Sequence, residues 1–539
     1  MTNPDWWRGA TFYQIYPRSY QDSTGDGIGD FKGITRRLDH IASLGVDAIW
    51  ISPFNKSPMK DFGYDVSDYS DVDPMFGTMD DFDALIARAH ELGLKVTMDM
   101  VMSHCSDQHE WFKESRQSRD NAKADWFVWA DAKEDGSAPT NWLSVFGGPS
   151  WEWDSVRRQY YLHNFLASQP DLNYHNPDVQ DAMLGEVRFW LDRGIDGFRF
   201  DACNYHFHDQ QLRDNPPAAR STGSSFIEAS NPYSFQQHDF DKSRPENLGF
   251  LKRVRDLLNE YEGRTSVGEV GDEARSYDTV AAYTRGGERL HMAYTFDLLA
   301  DQFSADFIRK TVERIEDKVS EGWVCHSFSN HDVTRHVTRW ADNGAREPLA
   351  KFCITLLTAL RGTICLYQGE ELALPEADIA YEDLTDPYGI RFWPGFKGRD
   401  GCRTPMVWEG DEPFGGFSNT NAAKPWLPVP SEHLALAVDQ QGEGSVLDHY
   451  RAAITHRQTD PVALKGSIAF QDAPDGVLTF VRAHEGQSQL YVFNFTQVEQ
   501  EITVTPGQVV PFPTACGQVG TLDGNRLSLP PLGFAYIRP

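Results

Sequence analysis

The sequence predicts an α/β fold, a (β/α)8 barrel (TIM barrel) with a small domain inserted after the third strand and an antiparallel β domain at its C-terminal end. Three observations carry this. Eight short β-branched or apolar runs alternate with helical stretches, the gap between the third and fourth run is long and lacks helical periodicity, and beyond about residue 460 the pattern turns to short alternating strands.

The eight runs are TFYQIYP (11–17), VDAIWISP (46–53), LKVTMDMVM (94–102), GFRFDA (197–202), TSVGEV (265–270), AYTFDL (293–298), VCHSFSN (324–330) and TICLYQGEE (363–371). Near-continuous apolar runs of this length suit parallel strands covered on both faces. Amphipathic segments such as DFDALIARAHELG (81–93) and DAMLGEVRFWLDRG (181–194) supply helices between them. KFCITLLTALRGTICLYQ (351–368) is the nearest approach to a membrane span, but Arg361 and Gly362 break it into a buried helix, a turn and a strand. The boundaries that follow are a barrel over 1–104 and 175–459, an inserted domain over 105–174 and a C-terminal β-sandwich over 460–539. Residues 372–429, rich in Pro, Gly and Trp, form a second irregular insertion at the rim before the last barrel helix.

A chain of 539 residues holds ample core without disulfides. Its cysteines (105, 203, 325, 353, 365, 402 and 516) are odd in number, scattered and without CxxC, so they read as reduced thiols rather than a disulfide framework or zinc site. The N-terminal stretch lacks a basic segment followed by an apolar one, and the expected location is the cytoplasm. A formal charge of −29 argues against nucleic acid and anionic membranes as partners. An aromatic content of 13% suits stacking on sugars, although most such rings belong to the core.

Asp201, Glu269 and Asp332 each close a strand-like run: GIDGFRFDACN (194–204), TSVGEVGDE (265–273) and VCHSFSNHD (324–332). Carboxylates gathered at one barrel rim suit acid/base and nucleophilic chemistry on an acetal, and so the cleavage of glycosidic bonds. Arg199 lies two residues before Asp201, on the same strand face, and would keep it ionised. Glu269 has no basic neighbour in VGEVG, which leaves it able to carry a proton.

In chain order, DMVMSH (99–104), GFRFDA (197–202), GEV (268–270) and SNHD (329–332) resemble the motifs of the α-amylase family, glycoside hydrolase family 13. DSTGDGIGD (22–30), DFGYDVSDY (61–69), QPDLNYHNPDV (169–179), YQGEE (367–371) and GRDGCRTPM (398–406) narrow the likeness to its oligo-1,6-glucosidase and α-glucosidase branch. The resemblance covers the whole chain. It implies Asp201 as nucleophile, Glu269 as general acid/base and Asp332 as a binder of ring hydroxyls. Arg199 would orient Asp201 with Asp99 behind it. His104 and His331 would bond sugar hydroxyls, and Tyr64 would stack on the ring. Ser103 departs from the Asn usual before this histidine. Asp61 and Arg399 would hold the terminal 4-hydroxyl and close the pocket, so that single glucose units leave from the non-reducing end. Ala202, where 1,6-cleaving members commonly carry Val, points to α-1,4 linkages. Phe146 and Phe165, in the aromatic-rich insertion, would border an acceptor and favour transglucosylation.

Counting Asp22 as position 1, oxygen ligands recur at Asp22, Thr24, Asp26 and Asp30, with the Ile28 carbonyl at position 7, but Gly33 stands where an EF-hand has its Glu. A structural divalent cation, Ca²⁺ or Mg²⁺, fits this loop. The family resemblance implies one too, with Thr24 replacing the usual Asn; no catalytic cofactor is expected. The expected activity is that of a retaining α-glucosidase on maltose and short oligosaccharides, with sugar or alcohol acceptors, as a monomer or homodimer. The alternatives are an oligo-1,6-glucosidase, a sucrose or trehalose isomerase or glucosyltransferase, and an inactive accessory subunit; the last is disfavoured by the intact triad.

Overall fold

In a computed structural model, described over residues 4–219, 227–272, 275–418, 424–512 and 517–539, eight parallel strands form one sheet. They are β1 (Thr11–Ile15), β2 (Ala48–Ile51), β3 (Lys95–Val101), β4 (Gly197–Asp201), β5 (Thr265–Glu269), β6 (Met292–Tyr294), β7 (Cys325–His326) and β8 (Thr363–Tyr367). Their order is β6-β5-β4-β3-β2-β1-β8-β7, and a parallel bridge between Ala293 and Val324 joins β6 to β7 and closes the barrel. Each strand is followed by a helix: α1 (Phe31–Ser43), α2 (Met79–Glu91), α3 (Pro177–Asp192), α4 (Asn247–Leu258), α5 (Ser276–Thr284), α6 (Ala305–Lys318), α7 (Arg346–Ala359) and α8 (Val446–Thr459). Every residue of β1, β2, β4, β5 and β8 is buried, as expected of strands covered on both faces.

Local chemistry sets the helix starts. Asp30 caps α1 through the N–H of Gly33, and Thr78 and Asp81 form a reciprocal capping box on α2.

All eight strands are shorter than the runs in the sequence, and β7 and β6 are the shortest. β7 ends at His326 because Ser327 turns its hydroxyl onto the carbonyl of Ser329, while Arg339 takes the carbonyl of Phe328. The carbonyls of Phe328 and Ser329 are thereby satisfied outside the sheet, and the loop delivers Asp332 to the rim. β6 ends at Tyr294, where Thr295 bonds Asp297 at the start of a short 3₁₀ turn.

The insertion after β3 contains a three-stranded antiparallel sheet of Trp129–Ala130, Gln159–Leu162 and Trp151–Asp154, tied to the rim by bridges His104–Asp171 and Phe127–Leu172. It also holds a one-turn helix, Glu110–Ser115, that sequence periodicity does not reveal; six residues are too few for a repeat to register. Toward the C-terminus, a five-stranded and a three-stranded antiparallel sheet face each other across Val477, Val492, Ile502, Leu527 and Ile537. The short strands Gln508–Val509, Thr521–Asp523 and Arg526–Leu529 were not legible as such. The six described cysteines are buried free thiols, and Cys516 lies outside the described residues. Among the described residues no helix is long and apolar enough to cross a membrane.

Candidate active site

The pocket floor is built on strand register. β4 pairs with β3 so that Arg199 lies opposite Asp99, and β5 pairs with β6 so that Glu269 lies opposite Tyr294. Alternation points Arg199 and Asp201 to the same face, the barrel interior. The guanidinium of Arg199, fully buried, donates through Nη1 to Asp99 (2.8 Å) and Asp201 (2.6 Å), and through Nη2 to Glu269 (2.5 Å). Trp50 covers its face at 5.1 Å and donates its indole N–H to Asp99. Gly268 permits this packing, since a Cβ there would lie 2.4 Å from Leu290 and 2.8 Å from the Cys203 sulfur. Ala202 stands at φ 42°, a left-handed conformation costing roughly 1 kcal/mol for an L-residue. That turn aims its N–H at Glu269 Oε2, 2.9 Å away.

Sequence neighbourhood misled in one respect: Glu269 does have a basic partner, supplied across the barrel by Arg199. One guanidinium therefore serves three carboxylates. Burial, with Glu269, Asp99 and Asp332 nearby, pushes the Asp201 carboxyl well above the usual range against the pull of Arg199. Burial likewise raises Asp99 to about 6. Arg199 orients Asp201 and opposes the rise of its carboxyl without cancelling it.

A second arginine cluster forms the rim. Arg399 donates to Asp386 through Nη2 (2.8 Å) and Nε (3.1 Å), to Asp61 through Nη2 (2.9 Å) and to Asp332 through Nη1 (3.3 Å). Arg403 adds a bond to Asp332 at 2.9 Å. Burial opposes ionisation of Asp332, yet the Arg399 and Arg403 guanidinium groups bonded to it hold its carboxyl well below the usual range. Asp386 is also lowered, Arg399 overcoming its burial. At Asp61 burial wins, and the carboxyl rises to about 6.

Between floor and rim lies a pocket walled by Asp61, Tyr64, His104, Phe146, Phe165, Asp201, Ala202, Glu269, Asp332 and Arg399. Two of the twelve catalytic and substrate-binding residues picked from sequence stand behind this wall. Arg199 is buried beneath the carboxylates, and His331 has no exposed surface. The His331 ring is engaged by the Tyr64 hydroxyl (2.6 Å) and Gln14 (2.7 Å), and lies parallel to Tyr64 at 5.6 Å. Burial lowers its basicity far below the usual range, so it is neutral. His104, lowered to about 4 by burial, is fixed by Ser103 and the carbonyl of Tyr64. Phe165 packs on His104 at 5.1 Å, and Phe146 lies 5.1 Å from the Arg399 guanidinium.

The chain matches the model of the α-amylase catalytic domain over residues 14–466. The chain belongs to the α-amylase family. Among its relatives, a "probable alpha-glucosidase" of Rhizobium meliloti (strain 1021) is 57% identical over 99% of this chain and 97% of its own length. An oligo-1,6-glucosidase of Heyndrickxia coagulans is 35% identical over 92% of both chains. Of solved structures, the alpha-glucosyl transfer enzyme XgtA superposes with a TM-score of 0.95 at 54% identity, covering 99% of each chain. The trehalulose synthase MutB of Pseudomonas mesoacidophila MX-45 does so with 0.88 at 32%, again over 99% of each.

Sequence reasoning passed over Asp386, Arg403, Gln169 and Tyr294. Arg403 and Gln169 stood inside quoted motifs; Gln169 bridges Asp61 and His104. Asp386 and Tyr294 carried no local signal, because their partners lie 13 and 25 residues away or farther.

In the loop 22–30, the Asp22 carboxylate accepts N–H groups from Thr24, Gly25 and Gly27, Asp26 accepts from Ile28, and Asp30 caps α1. Among the described residues no three His, Cys, Asp or Glu converge as a ready metal site. The donor types suit a hard cation, but as arranged they are turned onto the loop's own backbone.

Proposed function

We propose that this chain is a retaining exo-acting α-glucosidase that removes terminal α-1,4-linked glucose from maltose and short oligosaccharides, and transfers part of it to sugar or alcohol acceptors. The observation that carries the reading is a pocket blocked at one end by the Arg399 cluster, with two carboxylates on the terminal nitrogens of a single guanidinium at its floor. A blocked end admits one sugar ring, and neighbouring carboxylates suit double displacement rather than attack by an intervening water.

In the first half-reaction an Asp201 oxygen bonds to C1 as the C1–O glycosidic bond breaks, and the departing oxygen takes the proton of Glu269. In the second, water or an acceptor hydroxyl gives its proton to Glu269 and bonds to C1 as the Asp201 ester breaks, restoring the α configuration. Asp332, held ionised by two arginines, would accept ring hydroxyls, and Asp61 with Arg399 the 4-hydroxyl. Ala202, 4% exposed at the pocket wall, leaves space on the leaving-group side and favours α-1,4 over α-1,6 linkages.

Transfer is favoured by the apolar lining of Val145, Phe146, Phe165, Tyr205, Ile227 and Phe296, and by the likeness to an enzyme named for alpha-glucosyl transfer. The test is a product time course on maltose, isomaltose, sucrose and trehalose, with and without a hydroxylated acceptor. Maltose turnover with glucoside formation is expected. Preferential turnover of isomaltose would overturn the linkage, and conversion of sucrose to an isomer would favour the isomerase reading.

A further inference from the structure

Glu269 is gripped from three sides. Its Oε2 accepts the N–H of Ala202, while its Oε1 accepts both Arg199 Nη2 and the hydroxyl of Tyr294, the latter at 2.8 Å. Tyr294 closes β6 directly opposite Glu269 in the ladder, and its hydroxyl in turn accepts from Arg199 Nη2 (2.8 Å) and Nε (3.2 Å). Its ring borders a small, mostly apolar cavity that Trp50, Val267 and Met292 also line, with Ser327 and Asn330 as its polar members. The hydroxyl bonds Arg199 and Glu269 and neither of those polar residues, so it serves the carboxylate.

We propose that Tyr294 is a positioning residue for the acid/base Glu269, its hydroxyl holding the carboxylate that forms when the proton leaves. This rests on the reading of Glu269 as acid/base. As C1–O breaks and the leaving oxygen takes the proton, negative charge develops on Glu269, and the hydrogen bond from Tyr294 strengthens in the transition state rather than in the ground state. The bond also fixes the carboxylate until it takes a proton from water in the second half-reaction. Charged and titratable groups facing Glu269 are Arg199, Asp201 and Cys203 from β4 and its exit, Asp99 from β3 and Tyr294 from β6, with Asp332 beyond β7 lining the same pocket.

Tyr294→Phe keeps the ring and removes the donor. On maltose, whose leaving group needs a proton, kcat/KM should fall about 10- to 100-fold, as for loss of a hydrogen bond to a charged group. α-Glucosyl fluoride, which leaves with little assistance, should lose far less. The alkaline limb of the pH–rate profile should move up by about one unit, since a lost donor disfavours the charged carboxylate. Replacing Tyr294 by 3-fluorotyrosine, a stronger donor of nearly the same shape, should move that limb down, which keeps the proposal testable if the Phe variant folds poorly. Equal losses on both substrates with an unmoved limb would reduce Tyr294 to packing and overturn the proposal. Glu269→Gln, run in parallel, should abolish glucosylation by maltose and spare glucosylation by the fluoride, read as the initial burst of fluoride release, because only the later hydrolysis of the glucosyl–enzyme still needs the base. If it does not discriminate, the acid/base reading falls and this proposal with it. If it discriminates and the Tyr294 variants do not, only the role of Tyr294 fails.

Discussion

Floor and rim of the pocket are both arginines ringed by three carboxylates, yet two of the floor's carboxyls are raised while two of the rim's are lowered. Arg199 sits on a barrel strand with Asp99, Asp201 and Glu269, and burial leaves Asp99 and Asp201 raised. Arg399 sits on an irregular segment with Asp61, Asp332 and Asp386; there Arg403 helps it to hold Asp332 ionised and Asp386 is lowered too, while burial raises Asp61. Two carboxylates held side by side on one guanidinium suit a floor where one must attack while the other gives a proton away and takes one back. A fixed negative charge suits a rim that must accept hydroxyls in one orientation. The rigid element carries the chemistry and the loops carry the selection, as barrel enzymes arrange it.

The largest separation between the two should come from Asp201→Ala. Loss of a nucleophile typically costs about 10⁴-fold or more in kcat, and here it should do so with KM and far-ultraviolet circular dichroism little changed. Appreciable residual turnover on maltose would remove Asp201 from that role and merge floor with rim.

Arg399→Lys comes next. A lysine retains the charge but cannot bond Asp386 through two nitrogens while reaching Asp61 and Asp332. kcat/KM on maltose should fall roughly 100-fold, the scale of one or two charge-assisted hydrogen bonds, and mainly through KM. A loss confined to kcat would show that the rim belongs to the chemical step.

A smaller effect concerns pH. Asp61 and Asp99 are both raised to about 6, one at the rim and one behind the floor. A carboxyl with a raised value is charged only above it, so the charged Asp61 that pairs with Arg399 is lost as pH falls through about 6. KM for maltose should rise across that interval. Asp61→Asn should weaken binding throughout and flatten the rise in KM, leaving any acid limb in kcat to the floor. A KM profile unchanged in shape by Asp61→Asn would assign the dependence elsewhere.

How much of this was legible beforehand follows from how local each feature is. The eight strands announced themselves because burial on both faces leaves continuous apolar runs, and the carboxylates at their ends stood out against those runs. Arg199 and Asp201 were readable as a pair because they are two residues apart on one strand. The tie between Arg199 and Glu269 spans 70 residues, and the tie between Arg399 and Asp61 spans 338. The second was found only through resemblance, and the first was misjudged because a neighbour in space is not a neighbour in sequence. Asp386 went unseen for a related reason: it lies in an irregular segment, where no period predicts which way a side chain turns.

The smallest expected effect tests the loop 22–30, away from both clusters. We propose that a structural divalent cation binds there, displacing backbone donors from Asp22 and drawing in Thr24, Asp26, the Ile28 carbonyl and Asp30. The loop is docked tightly: Gly27, at φ 90°, would place a Cβ 2.3 Å from the Lys424 carbonyl, and its own carbonyl accepts the N–H of Trp426. Trp426 stacks on Tyr16 and packs against Phe62 in the wall beneath the rim, so the loop braces the rim segment rather than the barrel strands. At a free cation level 100 times its Kd, binding would add about 2.7 kcal/mol of stability. In a protein this large that is a shift in Tm of only a few degrees. Chelator should lower Tm, Mg²⁺ or Ca²⁺ should restore it, Asp26→Asn should erase the difference, and kcat at 25 °C should be unchanged throughout. A Tm indifferent to chelator and to both cations would mean that Asp22, Asp26 and Asp30 are spent on the loop's own N–H groups, and that the rim is braced by hydrogen bonds alone.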